Sequence, residues 1–533
     1  MENIAILLTS LHNWIHGCIA SFNGYGMKNP LLWTYAAVAI FEIMRYNING
    51  MIFSGERKMN KYKKLAFNTV IFAIGSFGSK ILVILLTRLY SRHLDPVSSG
   101  IKELLEPTAL FLQPIFTFAL QEYLIRFGLD KNCDKREVFT TSGAMTFAGM
   151  LLMALTVPIL SLIPAFNYIK GYTLLLIVYI LMSSLRMLCQ QFVRSQDMVK
   201  LFSLDGILAT LTLFIFNLLF IAGFHWGVRG FMLAVILSDL FSSLFLFAAA
   251  DLRRYVGADA FNKDLARDMM KFASPLIPTI VMWTITSLSD RMFIRNMKSE
   301  RVQLGETAVS IYGYANRIPN LISMVSTIFF QAWNMSAITE NDSADRNKFY
   351  EKVYGTYEAF LFIASAGLLL LIKPVTGFFV VSSTYKEYAD VYLYTPILVV
   401  AVLYMCLNQF LGSIYSATKH TKNSFWTALI ACSVNLILNF ALIPEWGIQG
   451  ASIATFLSYY VCFWARIIDA RYYVPFRFNA MKSLLNTGLL FLMGWLIIAS
   501  PKFWIAGLFL LCCIVTALNF QSLMLTVKKL LRR

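Results

Sequence analysis

The chain has 533 residues, of which 58% are apolar and only 14% charged, and it carries a formal net charge of +17. Soluble domains average about 45–50% apolar and about 25% charged residues, so a fully water-covered fold is excluded. The basic excess then means either nucleic acid, for a soluble protein, or basic cytoplasmic loops, for a polytopic membrane protein, and the position of the charges decides.

A bilayer core about 30 Å thick takes roughly 20 mainly apolar helical residues. Residues 1–58 hold two short, interrupted apolar stretches, 4–20 and 30–44. They lack the basic start and cleavage site of a signal peptide. They read as poor extra helices, as an interfacial helix, or as sequence upstream of a natural start at Met59, which heads the basic lead-in NKYKKLAFNT. From residue 61 the pattern divides into fourteen spans: 66–87, 104–125, 140–163, 171–193, 202–223, 228–249, 272–294, 307–333, 354–380, 390–417, 424–443, 448–468, 483–500 and 503–526. The expected fold is an all-α polytopic membrane protein.

An even number of spans puts both ends of this core on one side. The loops of that side hold 29 Lys and Arg, counting Arg466, against 13 on the other, counting Lys102. The richer side is the cytoplasm, and nucleic acid drops out. Five of the 13 gather where spans 7 and 8 join, at Arg291, Arg295, Lys298, Arg301 and Arg317, which topology alone does not require.

The span 5–6 turn reads Asn217…Trp226-Gly227-Val228-Arg229-Gly230…Ser238, and the span 11–12 turn reads Asn439…Trp446-Gly447-Ile448-Gln449-Gly450…Ser458. The W-G-x-x-G turns lie 220 residues apart, and spans 1 and 7 match loosely at about 207. Duplication explains both offsets. It predicts two pseudo-symmetric six-helix lobes, 59–250 and 272–470, a cytoplasmic linker at 251–271, and a last helix pair with a basic tail at 471–533. Repeats of this kind enclose a central site and alternate its exposure.

Charge inside a bilayer is costly and faces protein or a wet cavity. Lys80, Arg88, Arg291 and Arg317 come from spans 1, 7 and 8. A cation cluster between lobes suits a phosphate, which arginine grips with its fork and lysine meets as a point charge. Secondary cavity candidates are Arg186, Asp290, Asn316, Asn408 and Gln409. All but Asn316 have a structural alternative: Arg186 as a bundle-stabilising group, Asp290 as a local partner of Arg291, Asn408 and Gln409 as packing bonds. The eight Cys and five His form no metal-ligand spacing. No phosphate-binding loop or catalytic loop appears, so no enzyme and no cofactor is expected, and energy would come from a coupling ion or the membrane potential.

KYKKLAFNTVIFAIGSFGSKILVILLTRLYSRHLD (61–95), SLSDRMFIR (287–295) and VSIYGYANRIPNLI (309–322) resemble the polysaccharide flippases, bacterial exporters of lipid-linked O-antigen and capsule units within the multidrug, oligosaccharidyl-lipid and polysaccharide exporter superfamily. The resemblance covers about 60–530. It implies flipping of a polyprenyl-diphosphate-linked oligosaccharide across the bacterial inner membrane, with functional coupling to glycosyltransferases and a polymerase. The related lipid II flippases bind diphosphate through arginines on helices 1 and 8. Ser79-Lys80 matches their Ser-Arg with lysine in place of arginine. Leu86 stands where their next arginine falls, two residues before Arg88. Arg317 in Tyr-Ala-Asn-Arg matches their Tyr-Ala-Asp-Arg, with Asn316 replacing the acid. The lipid-tail groove of that family lies at the last two helices. Alternatives are a lipid II flippase proper, or an ion-coupled multidrug antiporter, which calls for a membrane-embedded acid.

Overall fold

The computed structural model describes residues 82–339, 346–418 and 420–531, and among them every regular element is helical. The seventeen helices are α1 (82–93), α2 (Pro96–Phe116), α3 (Leu120–Leu129), α4 (Lys135–Leu160), α5 (Thr173–Ser195), α6 (Val199–Asn217), α7 (Gly227–Ala249), α8 (Lys263–Ala273), α9 (Ile277–Asn296), α10 (Glu306–Arg317), α11 (Asn320–Thr339), α12 (Arg346–Leu370), α13 (Ile372–Phe379), α14 (Val391–Ala417), α15 (Thr421–Tyr473), α16 (Ala480–Ala499) and α17 (Trp504–Leu531). Eight helical stretches among the described residues are long and apolar enough to cross a membrane, and a ninth is the α8–α9 pair, bent by 51°. Each predicted span from the second to the fourteenth falls on helix; the first is described only from residue 82, and residues 1–58 lie outside the described residues.

Several spans are broken where the sequence forbids a continuous helix. The second is interrupted after Pro114, where Phe118 and Ala119 sit at φ +54° and +55°. The eighth breaks between α10 and α11 at Ile318-Pro319. Gly227 and Gly447, the paired glycines of the repeated turn, have φ of +56° and +55°, a region open to glycine at little cost.

Two charge placements differ from the sequence reading. The second span begins at Pro96 rather than 104. Asp95 caps it, accepting from the Val97 and Ser98 amides at 3.1 and 3.0 Å, and Pro96 needs no amide bond there. Lys102 therefore lies inside the helix, 1% exposed, instead of in a loop. Arg466, counted among cytoplasmic loop charges, is 3% exposed within α15.

At the end carrying α13, both lobes share one apolar core, including Leu94, Tyr168, Ile294 and Val380. Elsewhere the cores separate: Tyr123 and Phe192 of the first lobe cluster with Met269 of the linker helix α8, and Tyr350, Phe410 and Phe463 form the core of the second lobe. The lobes meet chiefly where α2 packs along α10 and α9.

Candidate functional site

The α2–α10 contact is unusually close because of two glycines. A Cβ on Gly100 would fall 1.9 Å from the Glu306 carbonyl oxygen, and one on Gly313 would fall 2.6 Å from the Glu103 side chain. Glu103 is thereby seated against the opposite lobe. Beside it opens a cavity of about 350 Å³, walled by α1, α2, α9, α10, α11, α13, α14 and α15.

Five charged side chains form one network beside it, four of them on its wall and the fifth, Lys102, behind them in α2. Arg317 holds Glu103 Oε1 through both Nε (3.2 Å) and Nη2 (2.6 Å), and Nη2 lies 3.3 Å from Glu106 Oε2. Arg291 Nη2 stands 3.6 Å from the other Glu103 oxygen. Lys102 Nζ reaches Glu103 at 3.2 Å and Glu106 at 2.8 Å, one helical turn along α2. Three cations thus face two carboxylates, an excess of one positive charge. Arg291 donates from Nη1 to the Ser287 carbonyl at 2.7 Å, but its buried Nε has no partner among the described residues. Arg317 ends α10, where the helix dipole favours a cation.

Asp290 lines the same cavity without an ion pair. Oδ1 accepts from Asn435 and Asn439 at 2.9 and 2.7 Å, and Oδ2 accepts from Tyr312 and Thr455 at 2.6 and 2.7 Å. Four neutral donors from α10 and α15 therefore hold this buried carboxylate, a substitute for water. With Asp290 included, the whole cluster, Lys102 among it, is formally neutral.

Of the residues singled out in the sequence, the cavity brings together Arg291, Arg317, Asp290 and Asn316. Lys80 lies outside the described residues. Arg88 is not on the cavity wall: it donates to the Phe378 carbonyl and lies over the Phe378 ring at 5.5 Å. Arg186 sits in the core of the first lobe, 3.1 Å from Asp239 and 3.6 Å from Asp205. Asn408 donates to the Tyr459 carbonyl at 2.8 Å and accepts Arg466 on its own carbonyl at 2.7 Å, and Gln409 is exposed on α14.

Sequence reasoning missed Lys102, Glu103 and Glu106. The signals were present: an Asp-Pro helix start at 95–96 and a Lys–Glu pair at i,i+4. It also read the embedded charges as mostly basic, whereas Glu103, Asp205, Asp239, Asp290 and Glu358 are all buried.

Residues 65–334 match the family model described as polysaccharide biosynthesis protein. No curated protein sequence matches the chain. Among solved structures, the fold resembles the lipid II flippase MurJ in an inward closed conformation, with a TM-score of 0.64 at 17% identity, covering 87% of this chain and 100% of that one. It also resembles an inward-facing multidrug resistance MATE family transporter of the MOP superfamily, with a TM-score of 0.60 at 15% identity, covering 74% and 95%.

Proposed function

The chain belongs to the polysaccharide biosynthesis protein family, whose members and structural neighbours are membrane transporters rather than enzymes, and from that premise we propose that it flips a polyprenyl-diphosphate-linked oligosaccharide. The glycan and diphosphate would be taken up from the cytoplasmic side of a bacterial inner membrane and released outside, for cell-surface polysaccharide synthesis. The basic excess of one set of loops supports cytoplasmic core termini, so that the α13 end faces outward. Glycosyltransferases and a polymerase would act before and after it.

The observation that carries this reading is the convergence of Arg291 and Arg317 on Glu103. A carboxylate gripped by an arginine fork occupies the geometry a phosphate oxygen would take. Glu103 and Glu106 belong to one lobe, Arg291 and Arg317 to the other. A diphosphate that displaces Glu103 from both arginines unties the lobes, while Lys102 still pairs with Glu103 and Glu106 and offsets one of their two charges. Ligand affinity is then coupled to lobe separation, as alternating access requires. Lys80 remains a sequence candidate for the same head group.

Arg317→Gln in the full chain, reconstituted in nanodiscs, should weaken binding of a polyprenyl diphosphate at least tenfold, about 1.4 kcal/mol, in protein that still folds, because Glu103 keeps Lys102 and Arg291 as partners. Unchanged affinity would reject the site. Rescue of cells depleted of their lipid II flippase would instead favour lipid II as substrate. The buried carboxylates favour a second reading, an ion-coupled antiporter, which gradient-dependent efflux of a cationic dye would support.

A further inference from the structure

Helix α11 has two functional flanks. Asn320 and Met324 face the anion cavity, whereas Leu321, Ile322 and Val325 line a separate cleft completed by α12 and α13. The body of one helix, roughly 10 Å across, divides the two. The cleft has a volume of about 270 Å³, and every residue lining it is apolar. With no polar group to hold water, it is a site for hydrocarbon.

Two small residues one turn apart on α12, Ala364 and Gly367, open this cleft. A Cβ on Gly367 would meet nothing within 4 Å, so no neighbouring helix requires the glycine. Inside a helix, glycine costs about 1 kcal/mol relative to alanine. Here that cost leaves a space. Val325 and Leu371 stand at the rim, 45% and 54% exposed, where a membrane-spanning bundle meets lipid chains.

We propose that this cleft seats an isoprenoid segment beyond the first two units of the same lipid whose phosphate head is held at Arg317. The proposal rests on the head-group reading above and adds a tail site to it. Only Ile318, Pro319 and Asn320 separate Arg317 from Leu321, and α10 and α11 are broken there. A chain leaving the head site crosses this break and enters the cleft on the far flank. The site lies on α11–α13, away from the last helix pair, α16 and α17. It selects lipid-linked substrates over soluble anions with the same head group, because a soluble sugar nucleotide has nothing to place in it.

The test uses the full chain in nanodiscs with two probes, geranyl diphosphate and a long-chain polyprenyl diphosphate. The short probe carries the head but ends before the far side of α11. Gly367→Trp, which fills the cleft, should weaken the long probe tenfold or more and leave the short one unchanged. Ala364→Phe should do the same, and serves if the tryptophan variant fails to fold. Arg317→Gln should weaken both probes. Parental long-probe affinity in folded Gly367→Trp and Ala364→Phe would overturn the tail site and leave the cleft to bulk phospholipid chains. Loss of only the long probe in Gly367→Trp, with no effect of Arg317→Gln on either, would support the tail site and overturn the head-group reading.

Discussion

The two lobes keep the same hinge and have diverged in what they bury. Gly227 and Gly447 break corresponding helices with nearly the same φ. Asn217 and Asn439 precede those breaks, yet Asn439 donates to Asp290 while Asn217 donates only to the Leu213 carbonyl of its own helix. At the 207-residue offset, Val83 stands where Asp290 would be. The first lobe instead sets a half-buried Arg186 between the buried Asp205 and Asp239, a net charge of −1. The second buries Arg466 on the Asn408 carbonyl and the Thr427 hydroxyl, with no carboxylate in ion-pair range among the described residues, a net charge of +1. Glycine geometry is backbone chemistry that any duplicated hairpin must keep. Buried polar clusters need only be internally satisfied, so each lobe has settled on its own.

The sharpest way to break this comparison is to remove the arginine from the first lobe. Arg186→Leu strands Asp205 and Asp239, whose remaining partners are Gln190, Ser242 and Ser183. Breaking a buried pair in this way costs about 3–5 kcal/mol. Thermal unfolding in detergent should fall accordingly, and Asp239→Asn on top of it should recover part of the loss. Asp290→Val makes the second lobe resemble the first at that position. It leaves four donors facing a methyl group, and at about 1–3 kcal/mol for each unsatisfied buried group, with some finding other acceptors, the expected loss is about 2–4 kcal/mol. Arg466→Leu strands no charge and should cost less than Arg186→Leu, about 1–3 kcal/mol. Equal losses for the two arginine variants would show that the clusters are equivalent after all.

Much of this was legible in the sequence, and the limits have physical causes. Span length, the paired W-G-x-x-G turns and the family of Arg317 follow from local pattern, which apolar periodicity and glycine chemistry encode directly. Arg291, Arg317, Asp290 and Asn316 reach one cavity because residues on neighbouring spans near one depth converge. Arg88 has the right depth but points to Phe378, a fact set by helix rotation rather than spacing. Lys102 and Glu103 were hidden by a span boundary: hydropathy starts the second span at 104, whereas its Asp95 cap starts it at Pro96, and Glu106, already inside the predicted span, was passed over. Polarity alone places such a segment in a loop, and only the opposing arginines of the other lobe explain its burial.

The smallest effect concerns what the lobes still share. Arg88 and Arg295 are 207 residues apart, and each crosses to the opposite lobe. Arg88 donates to the Phe378 carbonyl, where Ser91 also contacts residues 379 and 381. Arg295 donates to Asn167 and lies over the Tyr168 ring at 5.2 Å, while also pairing with Glu306. The two latches are thus related by the duplication and sit at the end where the cores merge. Each makes one exposed cross-lobe hydrogen bond, which contributes about 0.5–1 kcal/mol. Arg88→Ala or Arg295→Ala alone should therefore raise the opening of that end only about two- to fivefold, read as labelling of a cysteine placed at Thr87 on the cavity wall. If the lobes separate as rigid bodies, both latches break in the same motion and the double variant should multiply the two factors. A double variant no more open than either single one would mean that one latch follows the other, and that the lobes flex within themselves.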